Sequence, residues 1–421
     1  MMELLMPAGS LEKLQFAILY GADAVYAGVP LFSLRARENE FGYEDLKKGI
    51  ELAHSQNKKV YLTANIFARN LKLKPFSEQL PTWMDLKPDA MIMSDPGLIS
   101  MVKEKYPELP IHLSVQANCM NWQSVKFWQQ IGVSRIILSR ELRLTEIKEI
   151  KNKVPDMELE AFVHGSICIA YSGRCLLSHY MSYRDANQGV CDNSCRYGYH
   201  LHAYNPEKVK NETEYFLEDL RDPGQFYQID EDENGTYIMN SKDLCLIEHL
   251  AELKEAGVIS FKVEGRTKSV HYAAHVAKIY RQAIDDLQNG KEFDTQLLEE
   301  IHKVAHRGYH KGFLMGQPTP EAQNYKHSTS REGSQKFAGL VKEARGSEVS
   351  VDVRNKIKIG DLIEIISPKS NMKSQVLKIL DPKNQPVEAA HGGAGIYTLS
   401  LNVNSIETNS PIETNSLLSV L

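Results

Sequence analysis

Several things are missing from this 421-residue chain. No apolar run approaches the roughly 18 residues of a membrane-spanning helix. The opening MMELLMPAGS has neither a basic leading region nor a long apolar core, so no secretory signal is visible and a cytoplasmic protein is expected. A basic surplus is missing too: 49 Lys and Arg face 54 Asp and Glu, a formal net charge of −5. That balance argues against a non-specific nucleic-acid binder, while leaving room for an RNA met through a local patch. There is no GxSxG, no P-loop and no Asp-Thr/Ser-Gly triplet. His271 and His275 are four apart, but Tyr272 stands where HExxH requires glutamate, so the pair reads as surface residues.

Cysteine is scarce and unevenly placed. Of six, four (Cys168, Cys175, Cys191 and Cys195) fall in the segment from Glu160 to Cys195, separated by six, fifteen and three residues. In a reducing compartment such a group points to metal or redox chemistry and not to disulfides. Four thiolates suit zinc or an iron–sulfur cluster. Only Cys191 and Cys195 have the close spacing of structural zinc sites. The Cys168–Cys175 interval, with Gly173 inside it, can wrap something larger than one ion, which favours a cluster. The plain alternative is four partly buried thiols. For Cys119 and Cys245, elsewhere in the chain, core packing is the better reading.

Short apolar strands alternate with helical patterns over the first two thirds of the chain. Eight strands are expected: Glu3–Met6, Ala24–Ala27, Lys59–Asn65, Ala90–Ser94, Ile111–Asn118, Arg135–Ser139, Leu159–His164 and Ser260–Glu264. Helices are expected at Glu12–Tyr20, Tyr43–His54, Pro96–Lys105, Ser124–Ile131, Thr145–Lys151, Val270–Leu287 and Thr295–Ala305. Eight such repeats predict an α/β fold, a (β/α)8 TIM-like barrel. The open doubly wound sheet is disfavoured, because the first turn, Pro7-Ala8-Gly9-Ser10, lacks the dinucleotide-binding glycine pattern.

Active sites of such barrels lie at the C-terminal strand ends. Polar residues gather at those ends: Asn65, Ser94, Asp95, Gln116, Asn118, Arg140, Glu141, His164, Glu264 and Arg266. Each also has a plainer reading; Asp95 before Pro96-Gly97 fits a helix N-cap. His164 is an acid–base candidate.

The connection after the seventh strand is far longer than the usual ~4–6 residues. It carries the cysteines, an acidic piece (Pro206–Asp222), a hairpin around Asn234-Gly235, and MNSKDLCLIEHLAELKEAGV, read as one helix. From Lys336 onwards six short alternating strands predict a small C-terminal antiparallel β-barrel, read as a docking or stabilising module. The expected organisation is a catalytic barrel over 1–318 with an insertion at 165–257, a linker at 319–335, and the small barrel at 336–421.

The segment EAFVHGSICIAYSGRCLLS resembles the signature of the collagenase-like peptidase family of unknown catalytic type, through Glu160, Phe162, Gly165-Ser166, Cys168, Gly173, Cys175 and Ser178. YGADAVYAG, MSDPGLI, IHLSVQAN, ILSREL, YIMNSKDL, VEGRTKS and AHRGY extend the likeness to the family's tRNA-hydroxylation branch. That resemblance implies a 4Fe-4S cluster on Cys168, Cys175, Cys191 and Cys195. It also implies conversion of the tRNA wobble uridine to 5-hydroxyuridine, with prephenate as co-substrate and the anticodon loop as partner. A looped-out base can enter a barrel mouth. His164, Gln116, Asn118 and Glu264 are then the catalytic candidates. Arg140, Arg174 and Arg266 are the candidates for holding carboxylates. The insert between His200 and Arg221 departs from the branch pattern by being short and acidic. Two other readings compete: a peptidase, on the family label and on His164 near Cys168, and a non-catalytic RNA-binding or assembly module with a structural metal.

Overall fold

A computed structural model describes residues 2–34, 41–167, 189–191, 241–316, 333, 335–402 and 412–421, together with the backbone of three short strands between 215 and 237. Seven parallel strands come first: β1 (Glu3–Ala8), β2 (Ala24–Gly28), β3 (Lys59–Ala64), β4 (Ala90–Met93), β5 (Ile111–Leu113), β6 (Arg135–Ile137) and β7 (Glu158–Gly165). After them come β8 (Tyr215–Glu218), β9 (Phe226–Asp232), β10 (Gly235–Tyr237), β11 (Asp243–Cys245), β12 (Val258–Val263) and β13 (Tyr309–His310). Strand β12 pairs in parallel with both β1 and β7, so β1–β7 and β12 close an eight-stranded barrel. The strands are apolar almost throughout because both faces are covered.

The outer helices are α1 (Leu11–Leu19), α2 (Tyr43–Ser55), α3 (Asn70–Met84), α4 (Pro96–Lys105), α5 (Trp122–Gln130), α6 (Leu144–Lys153), α7 (Leu250–Glu255), α8 (Val270–Gln288) and α9 (Gln296–His302). Asp95 caps α4 through Leu98 N at 3.0 Å, with Pro96 at the first helical position. From sequence no helix was expected between β3 and β4, and α3 does contain Pro75 and Pro81, each costing ~3 kcal/mol in a helix interior. Packing overrides that penalty: Phe76, Leu80 and Trp83 are buried, and Phe76 and Trp83 meet Phe32 edge-on with ring centroids 5.3 and 5.5 Å away.

Three further expectations are corrected. The fifth strand stops at Leu113. Ser114 then caps a 3-10 turn over Val115–Ala117, and Asn118 ends it with φ +51°. The stretch read as one helix after the insertion begins as β11, antiparallel to the end of β7, before α7 forms. His271 and His275 are buried, not exposed. The hairpin is present as β9 and β10, with Gly235 opposite Asp232.

The C-terminal strands are β14 (Lys336–Arg345), β15 (Glu348–Val353), β16 (Ile357–Lys358), β17 (Leu362–Ile366), β18 (Asn371–Leu380), β19 (Pro386–Val387), β20 (Ala389–Ala390), β21 (Ile396–Leu401) and β22 (Leu417–Val420). Pairing in the order β17-β22-β14-β15-β21-β18, with β18 back on β17, closes a six-stranded antiparallel barrel. Alternating burial along β15 and β21 shows one face turned into its core. The junction with the first barrel is specific. Tyr20 Oη donates to the carbonyls of Ile366 (2.8 Å) and Asn415 (3.0 Å), Lys303 pairs with Glu364 at 3.1 Å, and His271 stacks on Phe337.

Candidate active site at the barrel mouth

The lumen of the first barrel is built in two levels. At the lower level, aliphatic side chains would be the ordinary filling. Here Glu160 is fully buried, with Lys262 at 2.8 Å, Arg135 at 3.2 Å and Ser260 Oγ at 3.3 Å. Arg135 also reaches Glu3 at 2.6 Å and Glu158 at 2.9 Å, and Tyr61 Oη donates to Glu3. Burial works against the Arg135 charge, but Glu160 and Glu3 more than offset it and hold the guanidinium protonated. Burial lowers the Lys262 pKa, with Glu160 opposing. The ammonium lies 4.2 Å from the Tyr26 ring centre and 5.5 Å from that of Phe162. Sequence reasoning used Glu160 only as part of a signature. The signal for the whole network was present: Glu3, Glu160 and Lys262 are charges inside otherwise apolar strands.

At the upper level stand the rim candidates. The Arg140 guanidinium lies 3.9 Å over Phe162, donates to the Ser166 carbonyl at 2.7 Å and pairs with Glu264 at 3.2 Å. Gly165, at φ +103°, brings the chain against Glu264; a Cβ there would lie 2.5 Å from the Glu264 carbonyl oxygen. Tyr272 Oη donates to that same carbonyl. Arg266 is buried and donates to the Leu34 carbonyl, and the bare Gly28 makes room for it, since a Cβ would sit 2.4 Å from Nη1. Asn65 ties the rim together through Leu34 N and Ser114 Oγ, at 3.0 and 3.2 Å. Gln116 and Asn118 are half-buried on the turn after β5. The fold thus brings Arg140, Glu264 and Arg266 to one end of the barrel, with Gln116 and Asn118 at the end of a further strand.

His164 is placed differently. The register between β7 and β12 slips by one between Phe162 and His164. Glu160 and Phe162 meet lumen residues, whereas His164 packs among Tyr272, Tyr280 and Tyr309, with Tyr280 Oη 3.3 Å from Nδ1. Burial pushes its pKa down to about 3, against the pull of Asp243, so the ring is neutral at physiological pH. Beside it Asp243 and Arg307 form a buried pair that anchors the AHRGYHKG stretch to β11. Burial also holds the thiols of Cys119 and Cys245 up to about 12 and about 11, which is core behaviour, as expected.

Cys168, Cys175, Cys195 and Arg174 lie outside the described residues, as do most of the acidic piece and the linker. Cys191 is described and partly exposed. Among the described residues no group of three or more His, Cys, Asp or Glu is arranged around a metal. The donor chemistry nonetheless fits a sulfur-rich centre: four thiols follow within 30 residues of Ser166, which the mouth holds through Arg140. No described helix is long and apolar enough to cross a membrane.

A closed parallel α/β-barrel with an ion-paired lumen, a polar mouth and an appended antiparallel β-barrel sets the class of the molecule. Within that class the chain belongs to peptidase family U32. The family's pattern matches residues 9–324, and that of its C-terminal domain matches residues 333–418. The chain is similar to tRNA hydroxylation protein P of Escherichia coli, at 48% identity over 95% of this chain and 93% of that one. It is also similar to the protein of the same name from Haemophilus influenzae, at 46% identity over 95% and 93%. A solved U32 peptidase structure covers 63% of this chain and 93% of its own at 14% identity, with a TM-score of 0.40.

Proposed function

We propose that this protein hydroxylates the wobble uridine of tRNA at carbon 5, with prephenate as co-substrate and a 4Fe-4S cluster held by Cys168, Cys175, Cys191 and Cys195. The observation that carries the reading is the 48% identity to a tRNA hydroxylation protein along 95% of the chain. When bound, the cluster supplies electron transfer or Lewis acidity next to the mouth. Gln116, Asn118 and Glu264 are assigned to the base, as hydrogen-bonding groups at strand ends. Arg266 and Arg174 are assigned to carboxylates. Arg140 already serves two oxygens of the protein, those of Ser166 and Glu264. His164, neutral and enclosed, is assigned to support of β7 and not to proton transfer. Residues 1–318 carry the site, and 336–421 act as a docking or stabilising module.

The test is the nucleoside profile of tRNA from cells with and without the gene. Loss of 5-hydroxyuridine derivatives on deletion is expected; an unchanged profile sinks the substrate assignment. The family's name favours a second reading, a peptidase. Purified protein that degrades collagen or casein, and loses that activity in Cys168→Ser, would establish it.

A further inference from the structure

The mouth contains one residue whose contacts define a task other than substrate binding. Arg140 follows the end of β6 and makes three contacts with two other pieces of the chain, β7 with its exit and the end of β12. Its flat face lies 3.9 Å over the Phe162 ring on β7. One terminal nitrogen donates to the Ser166 carbonyl at 2.7 Å, and the other pairs with Glu264, just past β12, at 3.2 Å. The Glu264 backbone is itself fixed: its N–H donates to the His164 carbonyl at 2.8 Å, and its carbonyl accepts from Tyr272 Oη at 2.8 Å. Gly165, between them, holds φ +103°, and any side chain there would run into Glu264. The chain therefore leaves β7 through a confined passage, and among the described residues Ser166 is the last held by a side-chain hydrogen bond before Cys168, two residues on in sequence.

We infer that Arg140 is a positioning residue: it clamps the root of the cysteine segment to Glu264 and so fixes where the first of the four thiols begins. The inference rests on the metal reading proposed above. A planar guanidinium can serve two oxygens in fixed directions while stacked on a ring, whereas a lysine ammonium cannot reproduce that geometry. Groups that orient metal ligands without touching the metal typically change affinity about 10–100-fold when removed.

The experiment uses the full-length chain, reconstituted anaerobically with iron and sulfide, and follows the visible absorbance of the cluster during chelator titration. Arg140→Met is expected to lower apparent iron affinity about 10-fold or more. Arg140→Lys should fall between it and the parent, and Glu264→Gln, which keeps the Ser166 bond, should lose less than Arg140→Met. Thermal melts of each variant report folding. In metal-free protein, amide exchange across Phe162–Ile167 should accelerate in Arg140→Met. Unchanged iron affinity per folded chain, with only a lower melting temperature, overturns the clamp in favour of a general structural role. Unchanged affinity with a raised KM for the carboxylate co-substrate overturns it in favour of substrate binding. If the parent chain takes up no iron and sulfide, the metal reading fails. The exchange measurement then still decides whether Arg140 holds the segment's root, and unchanged exchange removes that as well.

Discussion

In the first barrel the space enclosed by the sheet holds Glu3, Arg135, Glu160 and Lys262. In the second it holds Val341, Val351, Ile363, Ile365, Leu399 and similar side chains. The buried acid of the second barrel, Glu364, faces Lys303 across the junction. Both sheets close completely, so closure does not require charge inside. Buried ion pairs are weak evidence for stability, since desolvation can outweigh their attraction. The charges of the first lumen therefore need a reason beyond holding the sheet. The level above them supplies one: Lys262 lies against the Phe162 ring on whose face Arg140 is stacked. The lower network thus lies as a charged floor beneath the mouth, while the enclosed space of the second barrel is filled by apolar side chains.

The largest effect should come from unbalancing that floor. Lys262→Met removes a charge from Glu160 and is expected to cost about 3–5 kcal/mol in denaturant unfolding, as breaking buried pairs does. Replacing both, Glu160→Met with Lys262→Met, should recover part of the loss. A single change costing less than ~1 kcal/mol would mean that the lumen is solvated and the contrast between the barrels is false. Next in size is Ile365→Ala, at about 2–5 kcal/mol from lost burial and a cavity. Per folded chain it should leave the proposed tRNA hydroxylation unchanged, whereas Lys262→Met should not. Activity lost in Ile365→Ala would give the second barrel a part in the chemistry.

A third effect separates the floor from the wall outside it. Burial sets the His164 pKa to about 3, below the ordinary 6.5. The unfolded chain then binds more protons between those values, so this contribution to stability is intact above about 6.5 and declines as the pH falls towards 3. His271, at the junction, is also lowered to about 3, chiefly by burial. His164→Gln and His271→Gln should each flatten the acid limb of a stability–pH curve. Curves parallel to the parent's would show that these rings protonate freely in the folded protein.

The alternating pattern made all eight barrel strands and the six main strands of the second barrel legible, because burial on both faces or on one leaves a plain mark on composition. Helix α3 was hidden by Pro75 and Pro81, whose local cost is offset by burial of Phe76, Leu80 and Trp83, in part against Phe32, far away in sequence. The rim residues were legible as a set, since strand ends can be counted. Their partners were not. That Arg140 meets Ser166 and Glu264 depends on how three strand ends converge, and that His164 leaves the lumen depends on a one-residue slip against β12. A bulge of that kind has no composition signal.

The smallest predicted effect lies where the two barrels meet. Tyr20 is almost fully buried at the end of α1, and its hydroxyl is shared between the carbonyls of Ile366 and Asn415. These acceptors flank β22 and end β17, so a single donor ties two strands of the second barrel to a helix of the first. Tyr20→Phe keeps the ring and its contact with Phe16 while removing only the donor. The cost should be about 1 kcal/mol, the net worth of one such bond, with the unsatisfied carbonyls raising it if water cannot enter. If the barrels depend on each other through this junction, the loss should appear as a lower midpoint of one shared unfolding transition. If each barrel unfolds on its own, although Leu340, Ile366 and Leu417 of the second join the apolar core of the first, Tyr20→Phe should leave the second barrel at its own midpoint and shift only the transition of the first. Calorimetry on the full chain separates the two outcomes. One shared transition would show that the two barrels are energetically coupled through the contacts of this junction.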